Sequence, residues 1–564
     1  MANSHQNLYT RQVKLLARES APGQTSFFYN SSGSTVEKRA HQSEKIAKTA
    51  GMVSIAVMCS RVLGLIREQI FAGMFGAGLA YDAFVVAFRV PNLLRDLFAE
   101  GALSAAFITV FTDYDTNRTK EETWLLASNV LVFFGILLSL ISLCTIFFAD
   151  PLIDLLAADF AIIEGKKELT ILLSRIMTPF LVFISLSAVV MGILNSRGKF
   201  FIPAIASAFF NMGSIVGGVS LALILPRFGQ PAIVGMAIGT LLGGLLQLAI
   251  QFPTLAKLGF RFTPRLRLKD PGLKRIVTLM IPAVIGLSPT QINIFINTNF
   301  ASSCAEGSVS WLNYAFRLVQ LPIGLFGVAL SIAAMPILAK HAATKDIQGM
   351  RETMVSSLTM VFSLTIPATL GLMLLSEPVI RIIFERGAFT GIDTIATANT
   401  LTLYAIGLFA YSANKILVPV FYALENTKYP LIASFLAVAT NILIINLTID
   451  SLQHLAIALS TSCSMMLNFV FLSSVLYWKT GGYSVSYLLK GLVKIGIAGT
   501  AMAAFLLTGR TLLADWLDGS LLQECCALFF LIISAAGLYG SLLHILKLQE
   551  LTAITKKIKA KFSH

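Results

Sequence analysis

The sequence predicts an all-α, polytopic membrane protein with about fourteen transmembrane helices. Three observations predict it. Of the 564 residues, 56% are hydrophobic and only 13% are charged, whereas a typical soluble chain is about 25% charged. The apolar residues come in long blocks, such as LVFFGILLSLISLCTIFFA at 131–149 and ALFFLIISAAGLYGSLL at 527–543. Such blocks cross a hydrocarbon core of ~30 Å at about 1.5 Å per residue. The cations, finally, divide by side in the way membrane insertion imposes.

In chain order, residues 1–45 are polar and read as a disordered cytoplasmic tail, because no apolar stretch follows a basic start as in a signal peptide. The predicted spans are 48–74, 80–111, 123–148, 169–194, 202–225 and 231–253, which form an N-lobe within 46–256. A basic cytoplasmic linker, 257–275, opens a C-lobe that runs to 478, with spans 276–300, 308–339, 353–376, 395–423, 430–446 and 454–477. Two further spans, 486–508 and 522–546, occupy 479–547, and a basic cytoplasmic tail, 548–564, ends the chain.

With the N-terminal tail inside, thirty of the 43 Lys and Arg residues fall on the cytoplasmic side and six outside. This positive-inside bias puts both termini in the cytoplasm. It also accounts for the formal net charge of +14, so a nucleic-acid partner is not expected. The external loop at 150–168 is acidic, with Asp150, Asp154, Asp159, Glu164 and Glu168. Cysteines 59, 144, 304, 463, 525 and 526 show no CxxC spacing, the six histidines are scattered, and no GxxxxGK[ST] loop occurs. Metal binding and ATP hydrolysis are therefore not expected.

The two lobes repeat one another. AFR at 87–89 recurs at 315–317, LFAEGALSAAF (97–107) resembles LFGVALSIAAM (325–335), and KFFIPAIAS (199–207) resembles KYPLIAS (428–434). A six-span unit duplicated in one orientation follows, and parallel repeats of this kind place a substrate site between the halves.

The remaining cations lie inside spans: Arg61, Arg67, Arg89, Arg95, Arg175, Arg317 and Lys415. Each is costly in hydrocarbon. Asp82, Arg89, Asp96 and Glu100 fall on one helical face, with Arg95 pointing elsewhere. Gly64 and the glycines after it predict a bent or broken first helix, and Pro91 a kink in the second. Arg89 either fastens helices, paired with Asp82 or Asp96, or serves the cavity; Glu100, Gly64 and Pro91 are further candidates for gating or for tying helices. The cations outnumber their acids, so a water-filled cavity holding an anionic ligand is expected. Arginine suits phosphate, because its planar fork binds two oxygens.

SRVLGLIRE, FGAGLAYDAFVVAFRVPNLLRDLFAEGALSAAFITVF, GSVSWLNYAFRLVQLPIGLFGVALS, FERGAFT and ANKILVPVFYALENTKYP resemble the MviN/MurJ family of lipid II flippases. That family belongs to the multidrug/oligosaccharidyl-lipid/polysaccharide exporter superfamily. The resemblance covers about residues 50–435. It implies a V-shaped cavity between two lobes, a lipid-tail groove lined by the last two helices, and transport of undecaprenyl-pyrophosphate-linked peptidoglycan precursor across the bacterial inner membrane by alternating access. It carries substrate-binding roles to Arg61, Arg67, Arg95, Arg317, Asp82, Ser310 and Lys415. Partners implied are lipid II or a related glycolipid, membrane lipids and cell-wall synthesis proteins, with no cofactor and with dependence on membrane potential. Some members hold sodium on helices 7 and 11, but here those positions read Asn297, Asn441 and Ile445, and sodium is not expected. The alternatives are a flippase for another prenyl-pyrophosphate glycan, a drug exporter of the same superfamily, and a membrane scaffold for cell-wall enzymes.

Overall fold

A computed structural model describes residues 32–550, with side chains at 51–97 and 102–550. Every regular element in it is helical. In hydrocarbon no water satisfies the backbone, and a helix is the one open-ended structure that satisfies itself. We number the long helices α1 to α14. They are α1 (Ser32–Phe75), α2 (Leu79–Arg95, continued by Asp96–Leu103 and Ser104–Asn117), α3 (Lys120–Phe147), α4 (Lys166–Ser196), α5 (Phe201–Phe228), α6 (Ala232–Lys257) and α7 (Pro271–Ser302). Then come α8 (Ser308–Ala343), α9 (Ile347–Leu374), α10 (Gly391–Ile406 and Leu408–Ala423), α11 (Lys428–Leu452), α12 (His454–Thr480), α13 (Val485–Leu512) and α14 (Leu521–Ile545).

By length and apolarity, 11 of these cross a membrane, or 12 when the two arms of α10, bent by 41°, count as one span. The predicted total of fourteen is not reached on those criteria. The helices left out are α1 and α2, which carry Arg61, Arg67 and Glu68, and Asp82, Arg89, Arg95 and Asp96. Leu140, Leu143, Phe147, Leu447 and Phe529 are exposed, as a lipid-facing belt requires.

Two local expectations are corrected. The tail predicted to be disordered is helical from Ser32 onward, in a segment rich in Ala, Glu, Lys and Gln, all good helix formers. Residues 1–31 and 551–564 lie outside the described residues. Gly64, moreover, does not break α1, which runs without interruption to Phe75. One glycine in a helix costs only about 1 kcal/mol, and Gly64 serves packing instead: a Cβ there would meet the Asn211 carboxamide of α5 at 3.6 Å.

α2 and α8 share an irregularity. Each turns into a π-helix midway, at Asp96–Leu103 and at Ile323–Val328, the region that the repeat offset brings into register. Pro91 and Pro322 precede these segments; each removes a backbone donor and loosens the ladder. α5 and α6 pack closely through Gly235, Gly239 and Gly243, where any Cβ would overlap the backbone of Ala222, Gly218 and Phe210. Small residues at four-residue spacing allow such approach between membrane helices. α14 docks on α9 through Tyr539, whose hydroxyl donates to the Ser363 carbonyl at 2.8 Å. Arg381, before α10, joins Glu377 and Asp518 at 2.9 Å each and so ties the α9–α10 connection to the α13–α14 turn.

Candidate functional site

A cavity of about 1000 Å³ lies among α1, α2, α4–α8 and α10–α12, while α3, α9, α13 and α14 contribute nothing to its lining. Six cations line it: Arg61, Arg67, Arg89, Arg95, Arg317 and Lys415. Among the described residues two acids do, Glu68 and Asp96, and both are engaged by protein groups. Glu68 accepts hydrogen bonds from Arg67 Nη2 at 2.8 Å and from the Tyr81 hydroxyl at 2.7 Å, with Arg317 Nε at 3.5 Å. Asp96 accepts from Arg95 Nη2 at 2.8 Å and Nε at 3.1 Å.

Among the described residues, Arg61, Arg89 and Lys415 have no acidic partner. Arg89 pairs with neither Asp82 nor Asp96, and its buried Nε has no acceptor. Arg67 leans over the Phe210 ring at 5.3 Å. The Arg61 guanidinium lies on the α8 π-helix, where a Cβ on Gly324 would stand 2.8 Å from Nη1. A dry site would not hold cations without acidic partners, whereas water or an anionic ligand offsets their cost.

Arg95 lines the cavity despite its predicted orientation, because its long side chain swings onto the neighbouring Asp96 carboxylate. Asp82 and Ser310 do not line it. Both are buried where the start of α8 meets α2. Asp82 accepts from the Gly307 and Ser310 amides at 2.9 Å each, from the Ser310 hydroxyl at 2.5 Å and from Lys166 Nζ at 2.9 Å. The Asp82 and Lys166 side chains are 1% and 2% exposed. Asp82 thereby caps the N-terminus of α8 from another helix, where the helix dipole favours an anion.

Around this lock the chain is sealed by backbone contact. The Ala388 amide donates to the Gly73 carbonyl at 2.9 Å, and the Tyr314 hydroxyl donates to the Gly76 carbonyl at 3.2 Å. Gly76 and Gly387 have φ of 63° and 59°, and a Cβ on either would strike the opposing strand of backbone. Tyr81 and Tyr314 stack at 4.8 Å, and Trp311 Nε1 donates to Asp393 at 3.0 Å. Sequence reasoning missed Lys166, which reads as one more loop cation. It also missed the role of FERGAFT as the surface against which α1 closes.

Of the other candidates, Gly64 lines the cavity and Pro91 is buried in α2 before its π segment. The Glu100 side chain lies outside the described residues. Arg175 sits off the cavity, with Nε donating to the Ile146 carbonyl at 3.3 Å. At the positions where sodium would bind, Asn441 Nδ2 donates to Asn297 Oδ1 at 2.6 Å and Asn297 Nδ2 donates to Thr461 at 3.3 Å. Among the described residues no carboxylate joins this pair, and Asn441 Oδ1 is buried without a hydrogen-bond partner.

A family model described as lipid II flippase MurJ matches residues 71–526. A probable lipid II flippase MurJ of Vibrio cholerae is 34% identical over 523 residues, spanning 91% of this chain and 99% of its own. One of Rhizobium meliloti is 34% identical over 481 residues, with 84% and 87% covered. Among solved structures, an inward closed conformation of lipid II flippase MurJ superposes with a TM-score of 0.70 at 28% identity, covering 86% of this chain and 98% of that one. An inward-facing multidrug resistance transporter of the MATE family shares the fold alone, with a TM-score of 0.63 at 17% identity over 77% of this chain and 98% of its own.

Proposed function

This chain belongs to the MurJ family of lipid II flippases, and from that premise we infer how its cavity carries the substrate across the membrane. It is a multi-pass protein of the bacterial inner membrane, a transporter and not an enzyme, and it moves lipid II from the inner to the outer leaflet by alternating access. Our reading of the site is that the cavity admits the head group from the cytoplasmic side while the Asp82 lock holds the external side shut. Both termini then lie in the cytoplasm.

The observation that carries this reading is the charge balance of the cavity: six cations, with its two acids already bound to protein donors. Arg67, Arg95 and Arg317 clamp the pyrophosphate, with Arg89 and Lys415 free to reach the same anion and Arg61 shaping the wall against α8. No bond is made or broken. The barrier is desolvation of a sugar–pyrophosphate head group, and fixed guanidinium dipoles replace its water. The lobes 46–256 and 257–478 rock about the cavity, and the groove of 479–547 keeps the prenyl tail in an apolar path. An inside-negative potential drives an anion outward, by about 4.6 kcal/mol for two charges at 100 mV, so the potential can power the cycle without sodium.

Translocation of lipid II in reconstituted vesicles tests this. Arg317→Ala should abolish transport while leaving insertion and folding intact. Undiminished flipping by that variant would remove the clamp from the mechanism. Deleting residues 1–45 separates a flippase, which keeps most of its activity, from a scaffold that docks cell-wall synthesis proteins through its tail.

A further inference from the structure

The linker joining α6 to α7 takes no part in the cavity, yet its sequence is patterned. Over RFTPRLRLK, the odd positions hold Arg261, Thr263, Arg265, Arg267 and Lys269, and the even positions hold Phe262, Pro264, Leu266 and Leu268. The segment 260–267 has no helix. Two tight turns shape it, with the Arg265 amide donating to the Thr263 carbonyl at 2.8 Å and the Asp270 amide to the Arg267 carbonyl at 3.2 Å, so cationic and apolar side chains stand interleaved along one exposed segment.

The linker is also fixed in place. Phe260 packs edge-on against Trp124 of α3 at 5.4 Å. The Thr263 amide donates to Ser128 at 3.3 Å, the Arg267 amide donates to Asn129 Oδ1 at 2.8 Å, and Asn129 Nδ2 donates to the Arg267 carbonyl at 3.0 Å. Ser128 and Asn129 lie eight and nine residues into α3, about 12 Å along its axis at 1.5 Å per residue. The linker is therefore laid along a membrane helix, inside the charged residues at its start, at the depth of a headgroup boundary.

What it shows outward is unsatisfied on both counts. Phe262 is 57% exposed and Leu268 63% exposed. No side chain of Arg261, Arg265, Arg267 or Lys269 has an acidic partner among the described residues. Water suits the cations but not the leucines, and hydrocarbon suits the reverse. An interface with anionic headgroups above and acyl chains below satisfies both kinds of side chain.

We propose that residues 261–269 form a docking strip for anionic phospholipid of the cytoplasmic leaflet, with Phe262, Leu266 and Leu268 seated at the acyl boundary and the four cations on the phosphates. The strip is the single covalent bridge between the two repeats. Lipid bound to it anchors the bridge while the lobes move on either side.

A photo-crosslinking amino acid at position 266, in full-length protein reconstituted in vesicles of equal phosphatidylethanolamine and phosphatidylglycerol, tests the proposal. Mass spectrometry then counts the lipid adducts. Adducts to phosphatidylglycerol should exceed the others by about fivefold or more, the preference that one such charge near an anionic surface supplies. The combined variant Arg261→Gln, Arg265→Gln, Arg267→Gln, Lys269→Gln should bring the ratio to one. Should that variant fail to insert, unaltered protein in 1 M salt should show the same loss, because screening then acts within about 3 Å. Equal adducts of both lipids in unaltered protein at low salt would overturn the proposal, and so would the absence of lipid adducts, which would leave the strip to a protein partner. Lipid II flipping by the same vesicles reports separately on the cavity, so a failed strip and a failed flippase are distinguishable.

Discussion

Replacing Asp82 by Asn removes one charge from a lock that is closed only while its charges balance. In the sealed state Lys166 Nζ lies 2.9 Å from Asp82 Oδ2, and both side chains are all but excluded from solvent. An Asn at 82 still accepts from the Ser310 hydroxyl, but it leaves Lys166 as a buried cation without an anion. Breaking one side of a buried ion pair costs about 3–5 kcal/mol. Opening the seal hydrates Lys166 and relieves that cost, so the closed-to-open ratio should fall by about two to three and a half orders of magnitude, at roughly 1.4 kcal/mol per factor of ten. A cysteine in place of Asn313, which lines the cavity and donates to the Tyr81 hydroxyl at 3.0 Å just behind the seal, reports the change. In a background without the native cysteines, a membrane-impermeant maleimide added outside cells should label it much faster after Asp82→Asn. Adding Lys166→Met should slow labelling again, because the closed state then buries no net charge. Equal labelling rates in all three proteins would refute the balanced-lock argument.

Three other outcomes are expected. Arg89→Gln should weaken lipid II binding by about ten- to a hundredfold, the worth of one hydrogen bond to a charged group, measured by titration of the purified protein without change in its melting temperature. Gly239→Leu should lower the yield of folded protein and its thermal stability sharply, since the backbone of Gly218 occupies the space a side chain would need. Exchanging sodium for potassium should leave vesicle translocation unchanged, whereas collapsing the potential should slow it, because no carboxylate joins Asn297, Asn441 and Thr461 among the described residues.

The all-helical, multi-span fold and the charged cluster were legible in the sequence for one physical reason. Lipid forbids unpaired charge and unsatisfied backbone, so composition alone separates what faces hydrocarbon from what cannot. The same logic isolated Arg61, Arg67, Arg89, Arg95, Arg317 and Lys415, all of which line the cavity. Helical periodicity placed Asp82 on the Arg89 face, but it carries no information on where along that face the cavity ends. That boundary is set by α8 crossing over, a tertiary event. Lys166 was invisible for a related reason, because a lysine counted in a loop and a lysine 2% exposed beneath Phe160 have the same sequence signature. The continuity of α1 through Gly64 reflects packing against α5, which overrides the local preference of glycine.

The repeat explains how lock and clamp come to be stacked on one line. Asp82 and Ser310 are 228 residues apart, and so are Arg89 and Arg317. Helices related by an axis along the membrane normal present equivalent positions to each other across that axis. At the level of Asp82 the two copies have diverged into a complementary pair, an acid and a hydroxyl with a free helix N-terminus, and they touch at 2.5 Å. Two aspartates there would repel and could not close. One level inward both copies keep arginine, and like charges facing one another in a low-dielectric wall hold apart unless an anion lies between them. The same symmetry therefore yields contact at one level and a space for phosphate at the next. In the proposed mechanism, binding that anion would draw the inner level together, and closing one level of two rocking lobes would strain the other. On this geometry the substrate itself loosens the Asp82 lock, so external labelling at position 313 should rise when lipid II is supplied and should not rise in Arg317→Ala.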